Sequence, residues 1–225
     1  MKKLSTQEMH RLTVEEFRES EKLPLTVVLD NVRSLNNIGS VFRTSDAFRV
    51  EHIALCGITA TPPHREIHKT ALGAEDSVAW SYHEDTAECI RALKDKGYRI
   101  YAVEQVDDSI KLGSDTLLSQ PRAAAISPNL GEQPDGSLGG SSSSPKLGEV
   151  DVQRTDGGVC IILGNEIEGV QESLLPLCDG CLEIPQYGTK HSLNVSCAAA
   201  IVIWEMYRQW SVSSGQWSVD SPVGA

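Results

Sequence analysis

The 225-residue chain has no run of the ~20 consecutive apolar residues that a membrane-spanning helix requires. Residues 1–24 are polar and charged and lack the apolar centre of a secretory signal. The expectation from these two absences is a cytoplasmic protein with no membrane partner. Positive charge is also scarce: 20 Lys and Arg stand against 31 Asp and Glu, a formal net charge of −11. That balance excludes a uniformly basic, nucleic-acid-coating surface, because phosphate binding draws its affinity from clustered Lys and Arg. Any contact with RNA has to be local, and one basic cluster exists at His64, Arg65, His68 and Lys69.

Several signatures are missing as well. No GxGxxG follows the first apolar run, so the usual dinucleotide fingerprint is absent, and no GxxxxGKS or GxxxxGKT supports a phosphate-binding loop. There is no GxSxG nucleophile elbow. Cys178 and Cys181 form a CxxC pair, but structural zinc takes about four ligands and no second pair is spaced to join them. The other cysteines, Cys56, Cys89, Cys160 and Cys197, stand mostly in apolar runs, where a reduced thiol packs as a small hydrophobe. No metal is expected. No internal repeat is visible.

What is present suffices for a folded core: 40% of residues are hydrophobic and 23% charged. Of five short apolar runs, at residues 25–29, 52–58, 98–103, 159–163 and 181–184, most are continuous rather than alternating, the pattern of strands covered on both faces. Helical spacing falls between them, at Ile38, Val41, Phe42 and Ser45 and again over residues 86–96, where Gly97 stops the helix. Alternating strands and helices define an α/β fold with a mostly parallel sheet flanked by helices. Ahead of the first strand, Ser5 to Glu8 and Thr13 to Glu16 both match the capping box that opens a helix.

The expected organisation is a helical amino-terminal extension (1–22), a main domain (23–210) and a disordered tail (211–225). Within the main domain, residues 119–158 are rich in Pro, Gly and Ser and read as a long flexible insertion. The final helix, residues 192–210, is apolar nearly all round, at Val195, Ala198, Ala199, Ile201, Val202 and Ile203. It is expected to be buried in the fold or at a subunit interface.

Ligands of open parallel sheets collect beyond the carboxyl ends of the strands. Three segments follow strands in that way: residues 30–43, residues 164–169 and residues 184–194. Each has a plain structural explanation: Asn37 and Ser192 as helix caps, Gly164 and Gly169 as turn glycines. Together they carry more. The set Asn37-Ile38-Gly39-Ser40-Val41-Phe42-Arg43, Gly164-Asn165-Glu166-x-x-Gly169 and Ile184-Pro185…Gly188…Ser192-Leu193-Asn194-Val195-Ser196 resembles the three motifs of the SpoU (TrmH) family of RNA ribose 2′-O-methyltransferases. The resemblance spans roughly residues 25–207 without the insertion.

That resemblance implies a SPOUT fold with a carboxyl-terminal trefoil knot, a homodimer, and S-adenosylmethionine as methyl donor, held around Leu163, Gly164, Ile184 and Leu193. It implies a catalytic set of Arg43, Asn37, Ser192 and Asn194, with Glu166 fixing the cofactor loop by binding backbone amides or an arginine. The substrate it implies is transfer RNA, with ribosomal RNA methylation or a catalytically inactive RNA-binding homologue as alternatives. A small-molecule α/β enzyme would account more easily for the acidity. Arg33, Arg65 and Lys69 are the expected RNA contacts, the last two on a loop spanning residues 62–74. Two departures from the family pattern, Gln186-Tyr187 and the mixed-charge amino terminus, bear on which RNA is bound.

Overall fold

The computed structural model describes residues 2–4, 11–113 and 157–213. Residues 119–156 of the expected insertion, residues 214–225 of the tail and the Ser5 to Glu8 capping box lie outside them. The second capping box is formed. The Thr13 hydroxyl accepts from Glu16 N and the Glu16 carboxylate accepts from Thr13 N, opening α1 (Val14–Glu19). Phe17 of this helix is buried in the main core, so α1 is packed onto the sheet-bearing body.

Among the described residues, seven strands form one sheet: β1 (Leu23–Asp30), β2 (Val50–Cys56), β3 (Ala79–His83), β4 (Arg99–Val103), β5 (Ile110–Lys111), β6 (Val159–Leu163) and β7 (Gly180–Glu183). Their order is β3-β2-β1-β6-β4-β7-β5, and every pairing is parallel. Alternate side chains of a strand face opposite sides, and here both sides are covered. Leu25, Val27 and Leu29 of β1 and Val159, Ile161 and Leu163 of β6 belong to one core. That core is closed by α2 (Leu35–Ala47), α3 (Arg65–Ala71) and α6 (Val195–Ser213). Val28, Cys160 and Ile162 belong to a second core, closed by α5 (Thr86–Asp95) and a 3-10 turn at Glu172–Leu177. Burial on both faces is why these strands read as unbroken apolar runs.

The structure differs from the sequence expectations in four places. Strands β3 and β5 carry no such run: β3 lies at the sheet edge and alternates Trp80 and Tyr82 with Ser81 and His83, while β5 has only two residues. Residues 62–74 are not a loop, since α3 and the short helix α4 (Ala74–Ser77) occupy the second half of that stretch and its immediate continuation. The last helix starts at Val195 and extends to Ser213, three residues past the expected domain end. It is also not buried all round: Val195, Ala199, Val202, Ile203 and Met206 face the core, but Ile201 is 39% and Trp204 43% exposed.

A polar cluster sits inside the edge of the sheet. His52 Nε2 and His83 Nε2 each lie 2.8 Å from the buried Ser81 hydroxyl. A hydroxyl has one proton to give and two lone pairs, so a ring that accepts from Ser81 has to be neutral, while a ring that donates to its oxygen does so in either protonation state. Burial pushes His52 down to about 4 from an ordinary 6.5, with the charges of His83 and Lys96 adding to the effect. Burial also lowers His83. A base whose folded pKa is depressed supports the fold above its unfolded pKa, and that support is lost as pH falls through 6.5 toward 4. Urea unfolding at pH 7 and pH 4 should therefore show His52 contributing a loss of about 3 kcal/mol. A His52→Gln variant should show a visibly shallower pH dependence; identical slopes for both proteins would refute the assignment.

Candidate active site

The strand order changes course between β1 and β6, with β2 and β3 on one side and β4, β7 and β5 on the other. Loops from the carboxyl ends of these two strands diverge there and leave a crevice, the usual ligand position in such sheets. Four loops meet at this point: those following β1, β6 and β7, which carry the three sequence segments, and that following β4.

Each loop is held by its own local chemistry. After β1, the Ser34 side chain caps α2 by accepting from Asn37 N at 3.3 Å, so Ser34 and not Asn37 is the cap. Asn37 is thereby set in the first turn with its side chain turned inward, and it is buried. Gly39, two residues on, is where α3 crosses. A Cβ there would lie 2.1 Å from Thr70 Oγ1 and 2.3 Å from the Ile67 carbonyl oxygen. The Thr70 hydroxyl also donates to the Asn36 carbonyl at 3.1 Å, which fixes α3 against the helix that bears Arg43.

After β6 the chain makes a tight return in which Asn165 and Gly169 exchange both backbone hydrogen bonds at 2.9 Å. Gly169 has φ +73, and a Cβ on Gly164 would lie 2.1 Å from the Gly169 carbonyl carbon. The two glycines are turn residues and also the reason the return closes so tightly. After β7, residues 184–194 cross the same edge and α6 begins. Its cap is Asn194, whose Oδ1 accepts from Ser196 N at 2.9 Å while its carbonyl accepts from Ala198 N at 2.9 Å. Ser192, the alternative cap, is exposed and lies outside the helix.

Asn37 joins the three segments. Its Nδ2 donates to Glu166 Oε1 at 3.1 Å and its Oδ1 accepts from Asn194 Nδ2 at 3.1 Å. Glu166 also accepts from the backbone amides of Arg33 (3.2 Å) and Ser34 (3.1 Å), so it binds backbone amides, one of the two roles expected of it. Desolvation pushes the Glu166 carboxyl up, but hydrogen bonds from its own amide, the Arg33 amide, the Asn37 side chain and the Ser34 amide outweigh it and hold the group below the ordinary carboxylate range.

Beside this bridge lies a cleft of about 450 Å³, within the size range of small-molecule and cofactor sites. Leu163, Gly164, Ile184, Ser192, Leu193, Asn194 and Glu166 all line it. Their chemistry fits an adenosyl ligand: the close-packed Gly164–Gly169 return presents bare backbone, and Leu193, 40% exposed, and Ile184 offer apolar contact. The segment near Gly188 leaves room, with nothing within 4 Å of where its Cβ would be.

The structure does not bring every expected residue to this cleft. Arg43 is exposed on α2 and no hydrogen bond or ion pair joins it to another described residue. The Arg33 side chain is exposed and only its amide reaches the site. Arg65 and Lys69 stand on the exposed face of α3, where Lys69 is 3.6 Å from Glu66. Near them a second hollow, about 480 Å³, is bounded by Pro62, Arg65, His68 and Trp80. All six cysteines are free, and among the described residues no group of three or more His, Cys, Asp or Glu is placed to hold a metal.

Among the lining residues missed in the sequence are two polar ones after β4. Glu104 and Gln105 follow β4 and border the cleft. Glu104 Oε2 accepts from Val170 N at 3.1 Å and Gln105 Nε2 donates to the His191 carbonyl at 3.2 Å. The signal was available, since both directly follow an expected strand.

A parallel α/β sheet with a ligand cleft at its switch point, closed by glycine-bearing returns and flanked by a helix carrying a free arginine, belongs to the cofactor-binding α/β enzymes. The chain is more specifically placed by comparison: the model of the SpoU rRNA Methylase family matches residues 24–204, and the chain belongs to that family. It is 28% identical over 90% of its length to the tRNA (guanosine(18)-2'-O)-methyltransferase of Thermus thermophilus, covering 84% of that protein. It is 27% identical to the 23S rRNA (guanosine-2'-O-)-methyltransferase RlmB of Nitrosomonas europaea, over 90% of this chain and 64% of that one. The fold is shared with the TrmH/SpoU tRNA modifying enzyme of A. aeolicus (TM-score 0.63, 21% identity, 90% and 84% of the two chains). It is also shared with the SpoU methyltransferase AviRb of Streptomyces viridochromogenes, solved in complex with AdoMet (TM-score 0.59, 20% identity, 87% and 64%).

An Asn194→Asp variant separates the bridge from the cap, because Asp still accepts from Ser196 N but cannot donate to Asn37. It should lose about 1–2 kcal/mol in urea unfolding despite the intact cap. A stability equal to that of the unaltered chain would mean that the Asn37–Asn194 bond contributes nothing.

Proposed function

We propose that the chain is an S-adenosylmethionine-dependent RNA methyltransferase that methylates a ribose 2′-hydroxyl, with transfer RNA as substrate. The observation that carries this reading is the hydrogen-bonded bridge Glu166–Asn37–Asn194, which unites the three family segments beside a cleft of cofactor size. The T. thermophilus relative, of which the chain covers 84%, is a transfer RNA enzyme and supports that substrate. Ribosomal RNA is the second reading, supported by the N. europaea relative.

When bound, S-adenosylmethionine supplies an electrophilic methyl group on a sulfonium centre. The task left to the protein is to hold the hydroxyl behind that carbon and let its proton leave. Leu163, Gly164, Ile184 and Leu193 would hold the cofactor. Glu166 and Asn37 lock the walls of the cleft in register, and Asn194 places Ser192 and Leu193 at its rim. The Ser192 hydroxyl, exposed at that rim, is available to the substrate.

Arg43 is suited to the RNA. A guanidinium has five donors and no acceptor, so as a cation it clamps a phosphate and stabilises the developing alkoxide, and the proton passes to water or phosphate. Arg33, Arg65 and Lys69 would extend the path for the backbone, a local answer to the acidic composition. The resemblance also supports a trefoil knot. In keeping with it, β6 lies between β1 and β4, and β7 lies between β4 and β5. No described helix is long and apolar enough to cross a membrane, and a cytoplasmic location is proposed.

A homodimer is part of the same reading. Cys197, Ile201 and Trp204 recur at i, i+4 and i+7 on the exposed face of α6, an apolar stripe that a second copy would cover. In sedimentation, Ile201→Glu should convert a dimer into a monomer that keeps its fold, and a monomeric unaltered chain would dismiss the dimer. For the reaction, labelled S-adenosylmethionine and RNA from cells lacking this protein should yield 2′-O-methylated RNA. Arg43→Lys, which keeps charge but loses the planar fork, should reduce kcat by at least about tenfold, ~1.4 kcal/mol in barrier. Near-normal turnover would remove the guanidinium-specific role, and absence of any labelled RNA would reject the activity.

A further inference from the structure

The cleft carries a charge that its framework role does not require. Among the described residues, four glutamates line it, Glu104, Glu166, Glu168 and Glu183, and neither Lys nor Arg does. Glu183 is paired with Lys111, and Glu166 is spent on holding α2. Glu104 is different. It is half-buried at the end of β4, its two oxygens accept only from the amides of Val170 (3.1 Å) and Gln105 (2.9 Å), and no cation among the described residues is paired with it. Its carboxylate is aimed at the Gly164–Gly169 return, since a Cβ on Gly169 would lie 2.2 Å from Glu104 Oε2. It is thus held over the return that follows β6, in contact range of the backbone that lines the cleft. A half-buried charge at that range is only partly screened.

We propose that Glu104 is a specificity-determining residue that makes the cleft select the cationic methyl donor over its neutral product. This rests on the reading of the cleft as the S-adenosylmethionine site. The donor and the product, S-adenosylhomocysteine, share adenosine and the amino-acid end. They differ by one methyl group and one positive charge at sulfur. When the methyl carbon bonds to the ribose oxygen, the sulfur keeps the electron pair of the broken bond and its positive charge disappears. A fixed carboxylate near the sulfur attracts the molecule before that event and has nothing to attract afterwards. The same group that loads the donor therefore stops holding the product, and no movement of the protein is needed. Backbone amides satisfy the Glu104 hydrogen bonds without neutralising it, which keeps the charge available to the ligand.

The test is calorimetric binding of three ligands to the full chain without RNA: S-adenosylmethionine, S-adenosylhomocysteine, and sinefungin, which carries an ammonium in place of the sulfonium. The unaltered chain should bind the two cationic ligands more tightly than the neutral one. Glu104→Gln keeps size and an acceptor but removes the charge, and should shrink that preference roughly three- to tenfold. Because the readout is a ratio, general loosening of the loop cancels. A preference unchanged in Glu104→Gln, or equal weakening of all three ligands, would overturn the inference and leave Glu104 as a loop anchor. Should that variant fail to fold, the salt dependence of the unaltered chain decides: added KCl should weaken both cationic ligands and spare the neutral one, and equal sensitivity would overturn the inference. Failure of all three ligands to bind would instead reject the cofactor reading itself, and this inference with it.

Discussion

The geometry of the candidate site depends on one primary amide. Asn37 donates to Glu166 and accepts from Asn194, so a single side chain ties the loop after β6 to the start of α6 across the first turn of α2. A primary amide can do both at this reach. A carboxylate would accept twice and repel Glu166, a hydroxyl is too short, and an alkyl group would leave a buried donor and acceptor without partners. The remaining contacts at this edge depend on that register. The Asn165 amide donates to the Asn31 carbonyl at 3.1 Å, and Asn31 Oδ1 accepts from Ile58 N at 3.1 Å, which draws the ends of β1, β2 and β6 into one connected layer.

A second buried network stiffens the floor of the crevice. Asp30, the last residue of β1, is fully buried and receives hydrogen bonds from the Thr86 hydroxyl (2.6 Å), the Asn31 side chain (2.9 Å) and the Gln171 amide (2.9 Å and 3.1 Å to its two oxygens). A buried carboxylate without such donors would be costly. Here it connects β1 to α5 and to the segment after the Gly164–Gly169 return. The sheet edge that presents the ligand loops is therefore braced from beneath by polar contacts, while the flanks are held by apolar packing.

Much of this was legible in the sequence, for physical reasons that differ by element. The central strands β1 and β6 declared themselves because two-sided burial leaves no polar alternation, whereas edge strand β3, exposed on part of its surface, carries Trp80, Ser81, Tyr82 and His83 and hides its periodicity. For Glu166 two partners were open, backbone amides or an arginine, and only the fold shows that its carboxylate accepts from the Arg33 and Ser34 amides. The caps at Ser34 and Asn194 were not legible, since several Asn and Ser residues compete within each turn and only the fold decides which one sits at the first helical position. Glu104 directly follows an expected strand, but which strand ends border the crevice is set by the sheet order, and that order no local pattern encodes. The exposed stripe of α6 was hidden for the opposite reason: a helix apolar on every side says that it is covered, but not by what.

The order of the strands also has a consequence for how the molecule comes into being. β1 is paired on one side with β2, which follows it closely, and on the other with β6, more than a hundred residues later. Pairings so distant in sequence are slow to form because the intervening chain must first be closed into a loop. As the protein leaves the ribosome, the β1-β2-β3 half can assemble early, but its inner edge stays open until β6 is made. The ligand crevice opens on that same inner edge. A truncated or stalled chain would thus possess Asn37 and Arg43 on a formed helix and yet have no crevice, so binding competence arrives late, with the last third of synthesis.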